Sequence, residues 1–203
     1  MKVYPNSDPG SKLCIDLFSG LGGWSSAFKK RGWEVITIDN ERSFNPTLCI
    51  DILDFDPKIL PRNPVVILAS PPCQKFSSNT ITLNWRKRKI KDYGVIHAIG
   101  MVAKTLDIIN KLQPDYWIIE NPRGMLRNVM GKPSHETYFR SWGANNLKPT
   151  DLWGILPEIH WPKPEPGWDE NGTRKIDSAS KAAMIPFNLS LAICNGIEKE
   201  IGF

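Results

Sequence analysis

The chain has 203 residues and a mass of 23.0 kDa, with 41% hydrophobic and 23% charged residues. That suits one globular domain of ordinary core size and excludes a large multidomain enzyme. Lys and Arg number 26 against 21 Asp and Glu, giving a net charge of +5 and a pI near 9.0, a modest excess that favours a polyanionic partner without demanding one.

No run approaches the roughly 18 consecutive apolar residues of a membrane helix, and the stretch from Met1 to Asp8 holds no hydrophobic signal core. The expectation is a soluble, intracellular protein with no membrane contact, cytoplasmic and with a nucleoid-associated or viral setting left open. The four cysteines, Cys14, Cys49, Cys73 and Cys194, form no CxxC pair and have no histidine at ligand spacing, so neither a zinc site nor a disulfide framework is expected. Cys14, Cys49 and Cys194 read as core residues of regular elements. Prolines cluster around 57–72 and 149–166, with aromatic residues interleaved, and mark loops.

After a polar leader, the run from Leu13 to Phe18 predicts a buried strand that enters the glycine turn Ser19-Gly20-Leu21-Gly22-Gly23. Trp24, Ala27 and Phe28 then fall at helical spacing, and Lys29-Lys30-Arg31 followed by Gly32 suits a helix end, so a helix of two or three turns follows the glycines. Trp33 to Ile38 is the next strand, closing a βαβ unit at Asp39. Short strands follow at 48–50, ending at Asp51, and at 65–68. Val95, Ile99, Val102, Leu106 and Ile109 step by four and three and place the longest helix over 93–112, before a strand at 116–119. Residues 136–170 break the pattern and read as loops with a small hairpin, whereas Leu189, Ala192, Ile193, Ile197 and Ile201 restore helical periodicity at the carboxyl end. The fold class is α/β, a doubly wound, mostly parallel, Rossmann-like sheet.

Ligands of such sheets bind beyond the carboxyl ends of the strands, so the residues there carry the chemistry. The first strand delivers Asp16 and the glycine turn, which lets backbone amides approach a ligand at a helix start. The spacing is neither that of the dinucleotide turn nor that of a P-loop. Asp39 can accept hydrogen bonds from ribose hydroxyls and Asp51 from an adenine amino group, so together they point to an adenosine-containing ligand. The fourth strand delivers Ser70-Pro71-Pro72-Cys73-Gln74-Lys75-Phe76-Ser77, in which two prolines stiffen the backbone before a thiol nucleophile. The fifth ends in Glu120-Asn121-Pro122, with a carboxyl group for a ring nitrogen and an asparagine to brace the cysteine loop.

These runs, in this order on alternating strands, resemble the cytosine-5 DNA methyltransferase family. The resemblance covers 13–123 and extends to the final helix at 184–201. It implies S-adenosylmethionine, converted to S-adenosylhomocysteine, held by Asp16, Phe18, Ser19, Gly20, Gly22, Gly23, Ile52 and Ser70, with Asp39 on the ribose and Asp51 on the adenine. It implies Cys73, presented by Pro72, as the nucleophile toward cytosine carbon 6, with Glu120 and Asn121 completing the catalytic set and no metal. DNA would be the partner, its target base flipped out of the duplex and contacted by Gln74, Ser77 and the basic run Arg86-Lys87-Arg88-Lys89, which could close over phosphates as a lid.

Three departures from the family stand out. Pro122 replaces the usual valine after Glu-Asn, and no Gln-x-Arg-x-Arg element follows residue 123; Arg123, Arg140 and Lys148 are the candidates for its cytosine-facing arginine. The span between Pro122 and the last helix is too short for the usual target-recognition domain. The expected organisation is therefore one catalytic domain over 1–203. In it, 11–123 carry the cofactor and catalytic motifs, 124–183 form a short variable region, and 184–203 form a helix packed back on the cofactor side. Target choice would be relaxed or supplied by a homodimer mate or a separate partner. The alternatives are an RNA or nucleotide cytosine-5 methyltransferase, or a catalytically silent relative that binds DNA or S-adenosylmethionine.

Overall fold

Five consecutive residues with every side chain covered, four of them apolar, make β1 (Leu13–Leu17) the middle of the five parallel strands. The computed structural model describes residues 12–163 and 184–203. From β1 the chain runs through α1 (Ser25–Lys30), β2 (Glu34–Asp39), β3 (Leu48–Cys49) and β4 (Val66–Ala69). It continues through α2 (Ile81–Asn84), a two-stranded hairpin of β5 (Trp85–Arg86) and β6 (Lys89–Ile90), and the long α3 (Gly94–Leu112) to β7 (Tyr116–Pro122). A short α4 (Arg127–Met130), β8 (His135–Tyr138), β9 (Pro149–Ile155) and the terminal α5 (Phe187–Ile201) complete it.

The seven-stranded sheet has the order β3-β2-β1-β4-β7-β9-β8. Its first five strands are parallel, with Asp16 beside Leu68 and Ala69 beside Ile119, and β9 and β8 are added antiparallel. The chain reverses direction across the sheet between β1 and β4, which is where a doubly wound sheet opens a crevice.

Successive side chains of a strand point to opposite faces, and here both faces are covered. Cys14, Val66, Leu68 and Ile118 pack with Trp24, Phe28, Leu189 and Ile193 under α1 and α5. Leu13, Ile15, Ile67 and Ile119 pack with Ile108, Ile109 and Leu112 of α3. The same alternation sends Glu120 to the α1/α5 side and Asn121 to the α3 side.

The α/β fold is as the sequence suggests, with four differences in detail. Helix α1 has six residues, less than the two or three turns expected, because Gly22 and Gly23 remain in the turn. The buried stripe of α3 is Val95, Ala98, Val102, Thr105, Ile108, Ile109 and Leu112, leaving Leu106 37% exposed. Both stripes have helical period, but Thr105 can be buried because its hydroxyl donates to Met101 O at 2.8 Å. Cys49 is exposed, since β3 is a two-residue edge strand. Pro149, expected in a loop, opens β9, a seven-residue strand with a covered centre; proline is tolerated at a strand's first residue. Residues 164–170 and the polar leader, 1–11, lie outside the described residues.

One buried carboxylate ties the carboxyl-terminal helix to the sheet. Glu198 accepts hydrogen bonds from Lys12 Nζ at 3.1 Å, Trp33 Nε1 at 3.0 Å and Arg31 Nε at 3.0 Å. Burial pushes its pKa upward, but the bonds from Arg31, Trp33 and Lys12 outweigh that and hold it down at about 2. Stability from this group is therefore present above the ordinary glutamate range and lost as the pH falls from about 4.5 through 2. Glu198→Ala is expected to cost roughly 2–3 kcal/mol in urea unfolding at pH 7, because it strands the Trp33 N–H in a buried site. A loss under about 0.5 kcal/mol, the range of an ordinary surface substitution, would contradict it.

Candidate active site

The crevice at the β1/β4 reversal consists of two adjoining clefts of about 230 and 340 Å³ that share Phe18, Gly20, Phe44 and Ser70. The turn after β1 is held by the end of β2: Ser19 N donates to Ile38 O at 3.1 Å and Gly20 N to Asp39 Oδ2 at 2.8 Å. Phe18 itself sits at φ 58°, left-handed backbone that an aromatic residue rarely adopts and that tends to persist at functional sites. Gly23 is dictated by close approach, because a Cβ there would lie 2.7 Å from Ile185 N. Met184 and Ile185 wall the first cleft through that contact.

Eight of the ten residues expected to hold a cofactor line these clefts: Phe18, Ser19, Gly20, Gly23 and Ser70 on the first or both, and Asp39, Asp51 and Ile52 on the second. Asp39 spends Oδ2 on Gly20 N and Oδ1 on Glu41 N at 2.9 Å, and Asp51 spends Oδ1 on Leu53 N at 2.9 Å. Each carboxylate is thereby oriented while keeping lone pairs for a ligand. Asp16 and Gly22 do not line the clefts. Asp16 is 1% exposed and accepts from Ser25 N at 3.2 Å, at the start of α1. Phe44, Trp24 and the Met184–Ile185 pair are wall residues that the sequence reading missed. Trp24 directly follows the glycine turn and was legible; it donates from Nε1 to Ser70 Oγ at 3.0 Å.

Beside the second cleft, β4 delivers the Pro-Pro-Cys loop. Asn121 Nδ2 donates to Pro71 O at 2.9 Å in a fully buried bond, so the asparagine braces the loop as its place in the sequence suggests. Pro72 and Gln74 line the cleft, with the half-buried Cys73 between them. Burial raises the Cys73 pKa above its ordinary value; the Lys148 charge pulls it down and the Glu120 charge pushes it up. Glu120, 3% exposed, accepts from Lys148 Nζ at 3.3 Å. Of the three basic residues considered for the missing arginine, Lys148 is the one that reaches Glu120. Arg123 donates to Glu136 at 2.8 Å and Arg140 to Asn145 O at 2.6 Å. Pro122 continues β7 opposite Thr150 and leaves Glu120 within the strand.

The segment after Cys73 is pinned by its carbonyls. Gln74 O accepts from Thr80 Oγ1 at 2.6 Å and Asn84 Nδ2 at 2.9 Å, and Lys75 O accepts from Trp85 Nε1 at 2.7 Å. Gly124 packs so closely on Phe76 that a Cβ would lie 2.2 Å from its carbonyl oxygen. The basic run then forms the β5–β6 hairpin, with Arg86 opposite Lys89 and a two-residue turn of Lys87 and Arg88 at φ 46° and 66°. Residues 86–89 are all exposed, as is Gln74, whereas Ser77 is partly covered and bridges to Gly124. Among the described residues no His, Cys, Asp and Glu cluster could hold a metal ion, and no helix is long and apolar enough to cross a membrane.

The family of C-5 cytosine-specific DNA methylases matches residues 13–138. A Frog virus 3 (isolate Goorha) protein named "Probable DNA (cytosine-5)-methyltransferase" is 30% identical over 161 residues, covering 71% of this chain and 72% of that protein. The type II methyltransferase M.HgiGI of Herpetosiphon aurantiacus is 32% identical over 123 residues, covering 53% of this chain and 87% of its own length. Among solved structures, the Entamoeba histolytica methyltransferase EhMeth superposes with a TM-score of 0.52 at 17% identity, over 78% of this chain and 58% of that one, a likeness of fold.

The buried Asp16 yields a prediction. Burial pushes its carboxyl up to about 7, against the hydrogen bonds from Ser25 and the Lys29 charge. The folded protein thus holds this proton more tightly than the unfolded chain, and the associated stability, complete below about pH 4, is lost as the pH rises through about 7. Asp16→Asn keeps an acceptor for Ser25 N and removes the buried charge. Its Tm relative to the parent should rise between pH 5 and pH 8; a difference that is constant with pH would contradict this.

Proposed function

The chain belongs to the C-5 cytosine-specific DNA methylases, an enzyme family of DNA (cytosine-5)-methyltransferases, and from that premise we propose that it methylates carbon 5 of DNA cytosine through a covalent adduct on Cys73. The observation that carries the reading is the convergence of Cys73, Glu120 and Lys148 beside a cleft walled by Asp39 and Asp51.

S-adenosylmethionine fits that cleft. The backbone turn at Ser19 and Gly20 suits its polar end, Asp39 its ribose and Asp51 with Ile52 its adenine. When bound, it supplies an electrophilic methyl group on a sulfonium. The rest of the chemistry belongs to the protein. The Cys73 sulfur adds to cytosine carbon 6, forming a C–S bond and breaking the ring conjugation, while Glu120 hydrogen-bonds to ring nitrogen 3. The electron density gathered at carbon 5 then takes the methyl group. Loss of the carbon 5 proton to water returns electrons through the ring, the C–S bond breaks toward sulfur, and 5-methylcytosine leaves with Cys73 restored.

Carbon 6 is stacked inside a duplex, so the base must be turned out, at on the order of a few kcal/mol. The exposed hairpin at 86–89 supports phosphate contacts near the emptied position, with Gln74 and Ser77 closer to the base. We further propose that the chain acts as a single catalytic unit, with 124–183 as a short region in place of a target-recognition domain. Target choice would then be relaxed or supplied by a second copy or a partner.

Incubation with methyl-labelled S-adenosylmethionine and duplex DNA, RNA or cytidine nucleotides tests the reading. Label is expected in DNA cytosine, lost by more than about 1,000-fold in Cys73→Ala and by about 100-fold or more in Glu120→Gln. Methylation that survives Cys73→Ala would refute the covalent route, and label confined to RNA or nucleotides would refute DNA as substrate. Charge reversal of Lys87 and Arg88 to Glu should raise the KM for DNA and flatten its salt dependence with little change in kcat.

A further inference from the structure

A half-buried pocket that must hold a thiolate and a carboxylate side by side opposes itself, because each negative charge disfavours the other. Glu120 is nearly inaccessible, its side chain 4% exposed, so water screens it poorly, and its charge acts directly on Cys73. Lys148 is built to offset that charge. Its side chain is 16% exposed, and its Nζ lies 3.3 Å from Glu120 Oε1 and 4.1 Å above the centre of the buried Phe139 ring. An aromatic face on one side and a carboxylate on the other confine the ammonium group.

The backbone confines it further. Lys148 has φ 25°, outside the range ordinary for a residue with a side chain and more unusual still before proline. Its carbonyl accepts from Phe139 N at 3.2 Å and Thr150 Oγ1 at 3.1 Å. A strained residue held from both sides, with its charge in the pocket, marks a functional constraint.

The surrounding charged groups have partners of their own. On β9, Asp151 takes Arg127 through two hydrogen bonds at 2.6 and 2.5 Å, and on β8, Glu136 takes Arg123 at 2.8 Å and Arg127 at 3.1 Å. The Arg140 guanidinium on the segment after β8 donates to Asn145 O. Lys148 lowers and Glu120 raises the Cys73 pKa, behind the larger upward push of burial.

We propose that Lys148 is a positioning and charge-balancing residue: standing on Glu120, it allows the Cys73 thiol to give its proton to water and remain ionised beside a carboxylate. This rests on Cys73 as the nucleophile but is tested apart from methyl transfer. A second consequence concerns Glu120. Without Lys148 the carboxylate loses its orienting partner, and its rotamer would be set by the pocket alone.

The test is the pH dependence of Cys73 alkylation by iodoacetamide, without DNA or S-adenosylmethionine, followed by peptide mass spectrometry so that exposed Cys49 is read separately. Relative to the parent, Lys148→Met should move the titration midpoint up by about one to two pH units, and Lys148→Arg should return it to within about half a unit. Glu120→Gln should move it down, and combined with Lys148→Met should cancel most of the rise. Near-UV circular dichroism confirms the fold of each variant. If Lys148→Met fails to fold, the Glu120→Gln shift and the Lys148→Arg retention decide the matter. A midpoint unmoved by Lys148→Met, or unmoved by Glu120→Gln, would overturn the proposal. These outcomes stand whether or not Cys73→Ala abolishes methylation, so failure here and failure of the proposed function are distinguishable.

Discussion

The hydrogen bond from Asn121 Nδ2 to Pro71 O is the joint on which the site depends. It is fully buried, and it connects the two strands that carry the proposed reactive groups, β4 with Cys73 beyond its end and β7 with Glu120 one residue before the asparagine. Parallel pairing places Ala69 beside Ile119 and so brings both strands to the same edge, but pairing alone does not fix a loop four residues long. The asparagine does, by satisfying a carbonyl that two adjacent prolines leave with few alternative orientations. Gly124 repeats the device further along, lying so close to the Phe76 carbonyl that only a residue without Cβ fits.

Burial of both sheet faces explains how a chain of this length supports such a site. The α3 face and the α1/α5 face each receive every second residue of β1, β4 and β7, so the strands are rigid platforms and the loops beyond them need little structure of their own. Charge is then used sparingly. Asp16 sits at the start of α1, Glu198 gathers Lys12, Arg31 and Trp33 at the opposite end of the molecule, and Glu120 pairs with Lys148 at the end of β7. Each buried carboxylate has hydrogen-bonding partners, as the cost of burying an unpaired charge requires. The exposed basic hairpin stands apart from these, with its four charges in water, where the proposed function has them meet phosphate.

What was legible in the sequence follows the range of the interactions involved. Apolar runs ending at Asp39, Asp51, Ser70 and Glu120 announced the parallel strands because strand burial is a local, composition-level signal. The brace by Asn121 was legible because it follows Glu120 directly. Lys148 could be named only as one of three, since its approach to Glu120 depends on β9 returning antiparallel to β7, a pairing between residues far apart in sequence. Pro149 disguised that strand as a loop. Val95, Val102 and Ile109 of the expected α3 stripe are buried, but Ile99 and Leu106 give way to Ala98 and Thr105, which are as periodic, and only packing chooses between them. Met184 and Ile185 line the cleft through contact with Gly23, a meeting across most of the chain that no local pattern encodes.

The clefts, the braced thiol and the paired Glu120 lie together beyond the strand ends, and in the proposed function the defining event there is bond formation between the Cys73 sulfur and a cytosine ring. The most direct measurement is covalent capture: duplex DNA carrying 5-fluorocytosine is incubated with the protein and S-adenosylmethionine, and the adduct is digested and sequenced by mass spectrometry. Fluorine at carbon 5 cannot leave as a proton, so the enzyme should remain bonded to methylated base through Cys73. Attachment at another residue, or turnover of cytosine DNA with no adduct on the fluorinated strand, would contradict the mechanism.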